Sequence, residues 1–363
     1  MNLEEQFTGR RVFITGHTGF KGSWLSLWLL RLGADITGYA LPPKTEDDLF
    51  VKCDLQSKLH SIVGDINDYE KLHRAMLAAQ PDFVFHLAAQ PLVRHSYEDP
   101  LETFATNVVG SANLLEAVRH VPSVKSLIYV TTDKCYKDRK WVWGYRESDE
   151  LGGRDPYSAS KAAAELIFSS YQDSFFHYMT DFSAASVRAG NVIGGGDWAV
   201  DRIVPDCINA LRNRAPIVLR SPFATRPWQH VLEPLGGYLM LASQLAGREG
   251  AAYAGAWNFG PSTDSKKSVQ QLADKIIQNW GSGTLVHTEA DEAKIETMTL
   301  QLNSEKAHTD LCWRPIWDFQ ATVQETVGWY KAMEEGVDCF EFTNDQITRY
   351  YSEFKRKLEM SND

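Results

Sequence analysis

A short apolar strand, a glycine-rich turn and an apolar helix follow one another near the start of this chain, and nothing else in the sequence constrains its fold as strongly. Arg11-Val12-Phe13-Ile14-Thr15 reads as strand and Gly16-His17-Thr18-Gly19-Phe20-Lys21-Gly22 as turn. Ser23 to Leu32 reads as helix, stopped by Gly33, and Ala34 to Leu41 as a second strand ended by Pro42-Pro43. A β-turn-α-β opening commits a chain to a parallel sheet with helices on its faces. Glycines in such a turn let the backbone fold tightly and approach an anion. The helix start offers unpaired N–H groups to that anion, which suits a pyrophosphate. The spacing is GxxGxxG, whereas the usual dinucleotide fingerprint is GxGxxG, and glycine turns also arise for packing alone. The flanking strand and helix, more than the spacing, give the turn its weight.

The same alternation continues. A helix is predicted over 68–80, a strand over Asp82 to Leu87, a helix over Asn107 to Val118 and a strand over Ser126 to Thr131. A helix over Ser158 to Tyr171 and a strand over Ala184 to Arg188 follow. This predicts an α/β protein with a Rossmann-type parallel sheet, covered on both faces. Beyond residue 190 the rhythm loosens. Helix is predicted at Val204 to Leu211, strand at Pro216 to Leu219, and one or two helices over 228–246, interrupted near Gly236-Gly237. Trp257 to Gly260 reads as a strand end, Val269 to Trp280 as helix, and the chain closes on two helical segments after a strand-like stretch beyond Thr284. A smaller C-terminal domain, interleaved with the first, is the expectation.

Composition excludes several classes. Lys plus Arg total 37 against 47 for Asp plus Glu, a net charge of -10, which does not suit broad nucleic-acid binding. No apolar run reaches membrane-spanning length, and Met1-Asn2-Leu3-Glu4-Glu5 lacks the basic start of a secretory signal. Cys53, Cys135, Cys207, Cys312 and Cys339 are widely spaced without a CxxC, as expected of reduced thiols in the cytoplasm. The ten histidines include no HExxH and no cluster with metal spacing, so no metal site is expected.

Two further constellations carry chemistry. Tyr157 and Lys161 are four residues apart and share a helical face. An ammonium near a phenol favours phenolate, which makes the tyrosine a candidate base, though such a pair also occurs on ordinary exposed helices. Thr131-Thr132-Asp133-Lys134 ends a predicted strand. Open α/β sheets bind ligands at the carboxyl ends of their strands. A capping turn accounts for Asp133 by itself but poorly for all four residues together.

These motifs, in this order, resemble the extended short-chain dehydrogenase/reductase superfamily. Leu87-Ala88-Ala89-Gln90, Asp133-Lys134-Cys135-Tyr136, Gly194-Gly195-Gly196-Asp197-Trp198 and Arg226-Pro227-Trp228-Gln229-His230-Val231 narrow the resemblance to the CDP-glucose 4,6-dehydratase family, over about residues 10 to 315. The resemblance implies conversion of CDP-D-glucose to CDP-4-dehydro-6-deoxy-D-glucose and water, with NAD as an internal redox cofactor. It implies that Gly16, Gly19 and Gly22, with His17, Thr18 and Phe20 between them, hold the cofactor pyrophosphate, that Asp65 and Ile66 meet the adenine, and that Ala88 and Ala89 line the cleft. Thr132, Tyr157 and Lys161 would move the proton at the sugar 4-hydroxyl, and Asp133 would be the dehydration acid. Gln90, Val93 and Arg94 would contact substrate, as would His230, and Asn191, Arg202 and Arg226 would hold its diphosphate. Residues 1–190, with a return segment at about 228–258, would form the NAD-binding domain, and 191–227 with 259–363 the substrate domain. A homodimer or homotetramer is implied.

Two departures from the wider dehydratase pattern matter. Relatives acting on dTDP-glucose or GDP-mannose carry Asp-Glu where this chain has Asp133-Lys134, so Lys134 is either the base at C5 or an electrostatic group. The second strand ends in Gly38-Tyr39-Ala40 with no acidic residue for a ribose, so NAD over NADP rests on the resemblance. Trp141 and Trp143 lie in a polar stretch after the Ser126–Thr131 strand, where they could cover the cleft or meet a partner subunit.

Overall fold

Parallel strands need crossover connections, and each right-handed crossover lays its helix on one face of the sheet. The computed structural model, which describes residues 2–287 and 300–360, shows the result. β1 (Arg11–Thr15), β2 (Asp35–Ala40), β3 (His60–Val63), β4 (Phe83–His86), β5 (Ser126–Val130) and β6 (Ser183–Arg188) join the Gly255–Asn258 strand in a seven-stranded sheet. Every pairing is parallel, and the order from one edge is β3, β2, β1, β4, β5, β6 and the Gly255–Asn258 strand. The chain builds outward from β1 in one direction, then returns to add β4 on its other side. That reversal opens a crevice at the carboxyl ends of β1 and β4.

Alternate residues along the strands feed two cores. Phe13, Val84, Leu127, Tyr129 and Ala184 face the helices Tyr69–Ala79, Ser111–Arg119 and Pro156–Ser174. Val12, Ile14, Phe85, Ile128 and Val187 face the helices Phe20–Arg31 and Leu232–Leu245, with Phe319–Glu334 and Cys339–Met360 in the same cluster. Leu25, Leu29, Leu235 and Leu239 are fully buried there, and each such side chain contributes about 1.5–3 kcal/mol. The Cys53 and Cys339 thiols meet at 2.8 Å and tie the short Leu49–Lys52 helix to the last one.

Three local readings change. β3 was not foreseen: its ends are exposed and its centre only half-buried, so it carries too little apolar signal. Leu232–Leu245 is one continuous helix, not a pair broken at Gly236-Gly237. A Cβ on Gly237 would lie 2.3 Å from the Phe259 ring and one on Gly236 3.3 Å from Trp28, so these glycines serve close packing and not a break. The predicted Asn107–Val118 helix is part of a longer rod, Pro100–Phe104 and Ser111–Arg119 joined through a π-helical Ala105–Gly110. Beyond residue 190 three two-stranded ribbons pair Val192–Ile193 with Gln229–His230, Thr225–Pro227 with Lys266–Ser268, and Ile217–Leu219 with Leu285–His287. No helix among the described residues is long and apolar enough to cross a membrane.

Candidate active site

The turn after β1 is built by contacts that admit no side chain. Gly16 has φ +77°, and a Cβ there would lie 2.7 Å from the Ala88 amide nitrogen, so the turn rests directly on the segment leaving β4. A Cβ on Gly22 would lie 2.1 Å from the Gly16 carbonyl oxygen, which sets the first helical turn against the same loop. Gly19 is the N-cap of the Phe20–Arg31 helix and supplies no side-chain cap. The first-turn N–H groups thus keep their positive end for an anion at the crevice. Thr18 Oγ1 donates to Leu41 O at 2.9 Å. His17 is fully buried, its ring against Gly38 and its Nε2 2.7 Å from Ser61 Oγ. Burial holds its pKa down at about 4, against a backbone hydrogen bond that raises it, so this histidine is a neutral packing group under the turn. Asp65 is exposed just past β3, accepting from the Asn67 N–H at 2.9 Å, and Ile66 is buried against Gly110.

The ends of β5 and β6 bring the reactive groups together. Asp133 is 1% exposed. Thr132 Oγ1 donates to its carboxylate at 3.0 Å and Lys134 Nζ lies 3.6 Å away. A Cβ on Gly190 would collide with that carboxylate, at 1.8 Å from Oδ2, so the chain leaving β6 must be glycine there. Asp155 and Ser158 form a capping box that starts the Pro156–Ser174 helix. Tyr157, in its first turn, donates its N–H to Ser96 Oγ at 3.1 Å. Its phenol is buried and faces Thr132, Asp133, Lys134 and Arg202. Burial pushes the phenol pKa up; Lys134 and the Thr132 hydroxyl pull it down, Asp133 opposes them, and Arg202 assists. Among the groups around the phenol, Lys134 pulls hardest towards phenolate.

Lys161 is buried one turn on, and burial lowers its pKa to about 8, with Glu165 chief among the groups opposing that. Glu165 is one of the residues that sequence reasoning missed. It accepts from Arg188 Nε at 2.9 Å and NH2 at 2.8 Å, from Ser186 Oγ at 2.8 Å and from Thr131 Oγ1. It falls four residues after Lys161, so extending the helical spacing by one more turn would have found it. Lys21 is another, quoted within the turn but given no role. Asn107, in the π segment, is a third: its Nδ2 donates to Gln90 O and Ser160 Oγ, and its Oδ1 accepts from Gln90 N at 2.8 Å.

The other predicted substrate residues divide. Gln90 is spent on its own loop, donating to Thr103 Oγ1 at 2.8 Å and Leu92 O and accepting from Leu92 N. Val93 and Arg94 open the Val93–Glu98 helix, half-buried, and Arg94 NH1 meets Asp201 at 2.8 Å. Arg202, next to Asp201, pairs with Asp197 at 2.9 Å. Asn191 adopts a left-handed φ of 48° directly after Gly190, and its buried side-chain amide donor meets no acceptor. Arg226 is buried in the Thr225–Pro227 ribbon and donates to Thr225 O. His230 is corrected. It has no exposed surface, its ring is packed between Trp24 at 5.6 Å and Trp317 at 4.8 Å, and burial lowers its pKa to about 3, so it cannot touch a substrate. Trp141 packs on Tyr145 at 5.2 Å while Trp143 is 70% exposed. No group of three or more metal-binding side chains occurs among the described residues.

Comparison with known proteins follows the same lines. The model of the family described as GDP-mannose 4,6 dehydratase matches residues 13–326. The chain is 46% identical over 348 residues to CDP-glucose 4,6-dehydratase of Salmonella typhimurium, covering 95% of this chain and 97% of that one. Among solved structures it resembles a UDP-glucose 4-epimerase of Thermotoga maritima (TM-score 0.76, 21% identity, 89% of this chain and 99% of that one). It also resembles a dTDP-glucose 4,6-dehydratase of Streptomyces venezuelae solved with NAD bound (TM-score 0.75, 21% identity, 91% and 99%). These likenesses fix the fold.

Proposed function

The chain belongs to the GDP-mannose 4,6-dehydratase family of NAD-dependent epimerases and dehydratases, and from that premise we propose that it converts CDP-D-glucose to CDP-4-dehydro-6-deoxy-D-glucose and water. The choice of CDP-glucose follows the relative that is 46% identical over 95% of the chain. One observation carries dehydration over simple epimerisation. Asp133, with Thr132 and Lys134 around it, is buried beside Tyr157, where an epimerase needs only the tyrosine.

The turn fits a dinucleotide: no side chain at Gly16 or Gly22 intrudes, and the helix start above it is free of a side-chain cap. Gly16 to Gly22 would hold the pyrophosphate of NAD, Lys161 would help to bind the cofactor, and Ala88 and Ala89 would line its cleft. NAD bound there supplies the acceptor and donor for hydride. Tyr157 takes the proton from the sugar 4-hydroxyl, with Thr132 holding that oxygen. The resulting 4-keto group acidifies C5, whose proton is released to solvent and restored there when the cycle closes. Asp133 gives a proton to the departing 6-hydroxyl. Lys134, 3.6 Å from Asp133, stays charged and stabilises the enolate at the C4 oxygen. Asn191, Arg202 and Arg226, all in the 191–227 part of a substrate domain made of 191–227 and 259–363, bind the nucleotide diphosphate. The protein is a homo-oligomer, dimer or tetramer.

The test is a panel of CDP-, dTDP-, GDP- and UDP-glucose with catalytic NAD, products identified by mass. A product one water lighter, from CDP-glucose above the others, is the expected result; an isomer of unchanged mass would overturn it. Tyr157→Phe removes the base and keeps the ring, so NADH formation on adding CDP-glucose should fall by about 10²–10⁴-fold. An unaltered absorbance trace would assign the base elsewhere.

A further inference from the structure

Lys21 is the charged side chain of the glycine turn, and the scheme above gives it no role of its own. It lies in the first turn of the Phe20–Arg31 helix. That turn is fixed on two sides. Gly22 abuts the Gly16 carbonyl, a Cβ on Gly194 would be 3.2 Å from Phe20 Cζ, and Trp24 Nε1 donates to Gly195 O at 2.9 Å. The helix start therefore faces the loop that ends in Arg202. Lys21 lies within electrostatic reach of Arg202 from that loop, of Asp133 and Lys134 after β5, and of Lys161. It forms no hydrogen bond or ion pair with any described residue.

The charges around it do not balance. Asp133 is shared with Lys134 and Asp197 is held by Arg202. Lys21, half-buried, and Lys161, buried, remain as two cations with no ion pair among the described residues. Burial lowers the Lys21 ammonium to about 8, Arg202 pulls the same way, Asp133 opposes, and Lys161 and Lys134 add to the fall. A half-buried ammonium with no carboxylate partner is stabilised when an anion meets it. A diphosphate carries two charges and offers oxygens on opposite sides, which suits cations placed on opposite walls.

The geometry points to Lys21 and Arg202 as a two-sided clamp on a diphosphate, Lys21 reaching from the cofactor turn and Arg202 from the facing loop. This rests on the reading of the crevice as a dinucleotide and nucleotide-sugar site. The diphosphate could belong to NAD or to the nucleotide sugar, and the test separates them. The intact protein and Lys21→Met are each titrated calorimetrically with NAD and, separately, with CDP, at two salt concentrations. A loss of about tenfold or more for NAD alone, with a shallower salt dependence, assigns Lys21 to the cofactor. The same loss for CDP alone assigns it to the nucleotide sugar. The clamp is supported when Arg202→Gln weakens the same ligand as Lys21→Met and overturned when the two variants weaken different ligands, and Lys21→Arg should recover most of the affinity. If Lys21→Met melts at the parent temperature and binds both ligands as the parent does, the clamp is overturned. Lys21→Gln repeats the measurement should the methionine variant misfold. If the parent binds neither ligand, the reading of the crevice fails and the clamp falls with it.

Discussion

Two buried side chains show how residue-scale chemistry is set by neighbours. Tyr157 and Asp133 are both removed from water, yet Asp133 has Thr132, Lys134 and the bare backbone of Gly190 around its carboxylate, while the Tyr157 phenol is destabilised as an anion by burial. Lys134 is the chief group pulling that phenol down. Removing its charge in Lys134→Met should therefore raise the Tyr157 pKa. A base with a raised pKa is in its active form only at higher pH, so the acidic limb of kcat/KM against pH should move upward. A lower plateau on an unmoved limb would mean that Lys134 acts on the substrate alone.

At the scale of elements, the Leu232–Leu245 helix shows packing overriding local propensity. Two consecutive glycines weaken an isolated helix by up to about 1 kcal/mol each relative to alanine. Here they bring the helix within reach of Phe259 and Trp28, and both aromatic rings are fully buried. Gly237→Ala should gain that propensity and lose more. Its Cβ would meet Phe259, which is itself hemmed in by Tyr238 at 5.5 Å and Trp313 at 5.0 Å. Overpacking of this kind costs about 1–3 kcal/mol, so the melting temperature should fall; a rise would show that Phe259 can yield. The Pro156–Ser174 helix makes the converse point. Its capping box, proline start and Tyr157, Lys161 and Glu165 spacing all agree, and the Arg188–Glu165 pair beneath locks it to β6.

At the scale of the molecule, one carboxylate joins the sheet layer to the C-terminal helices. Glu233, at the start of Leu232–Leu245, accepts from the Ile316 and Trp317 N–H groups and from the Tyr350 hydroxyl at 2.8 Å. Burial raises its pKa from 4.5 to about 7, against the hydrogen bonds that lower it. An acid with a raised folded pKa favours the folded state in its protonated form, so this contribution is whole below about 4.5 and is lost as pH rises through about 7. The loss is on the order of 3 kcal/mol. Glu233→Gln keeps the acceptor without the charge, and its melting temperature relative to the parent should climb between about pH 5 and about pH 8. Equal pH dependence in the two proteins would remove Glu233 from the account. A second molecular feature is the exposed apolar surface on adjoining helices: Tyr97 (60%), Leu101 (81%) and Val109 (56%), with Leu166 (61%) on the neighbouring Pro156–Ser174 helix. Such surface is explained if a second copy covers it. Leu101→Glu combined with Leu166→Glu should then yield monomers by ultracentrifugation; an unchanged mass would place the interface elsewhere.

The sequence by itself determined the parallel sheet, because the strand–turn–helix opening and the alternation that follows permit little else. It also determined which residues reach the carboxyl edge, since Gly16, Thr132, Asp133 and Tyr157 all adjoin predicted strand ends or helix starts. It could not show β3, whose half-exposed four residues carry too little pattern, nor the continuity of Leu232–Leu245, whose glycines answer to aromatic rings remote in sequence. It misjudged His230, because a polar residue beside Trp228 and Gln229 looks the same in sequence whether it faces a cleft or is walled in by Trp24 and Trp317. Lys21 and Glu165 drew no role for a related reason. What a charged side chain does depends on which charges surround it, and those come from β5, from the Pro156–Ser174 helix and from the loop ending in Arg202. Periodicity acts along the chain and is legible in it. Desolvation and Coulomb interaction act through space, so only the tertiary structure decides them.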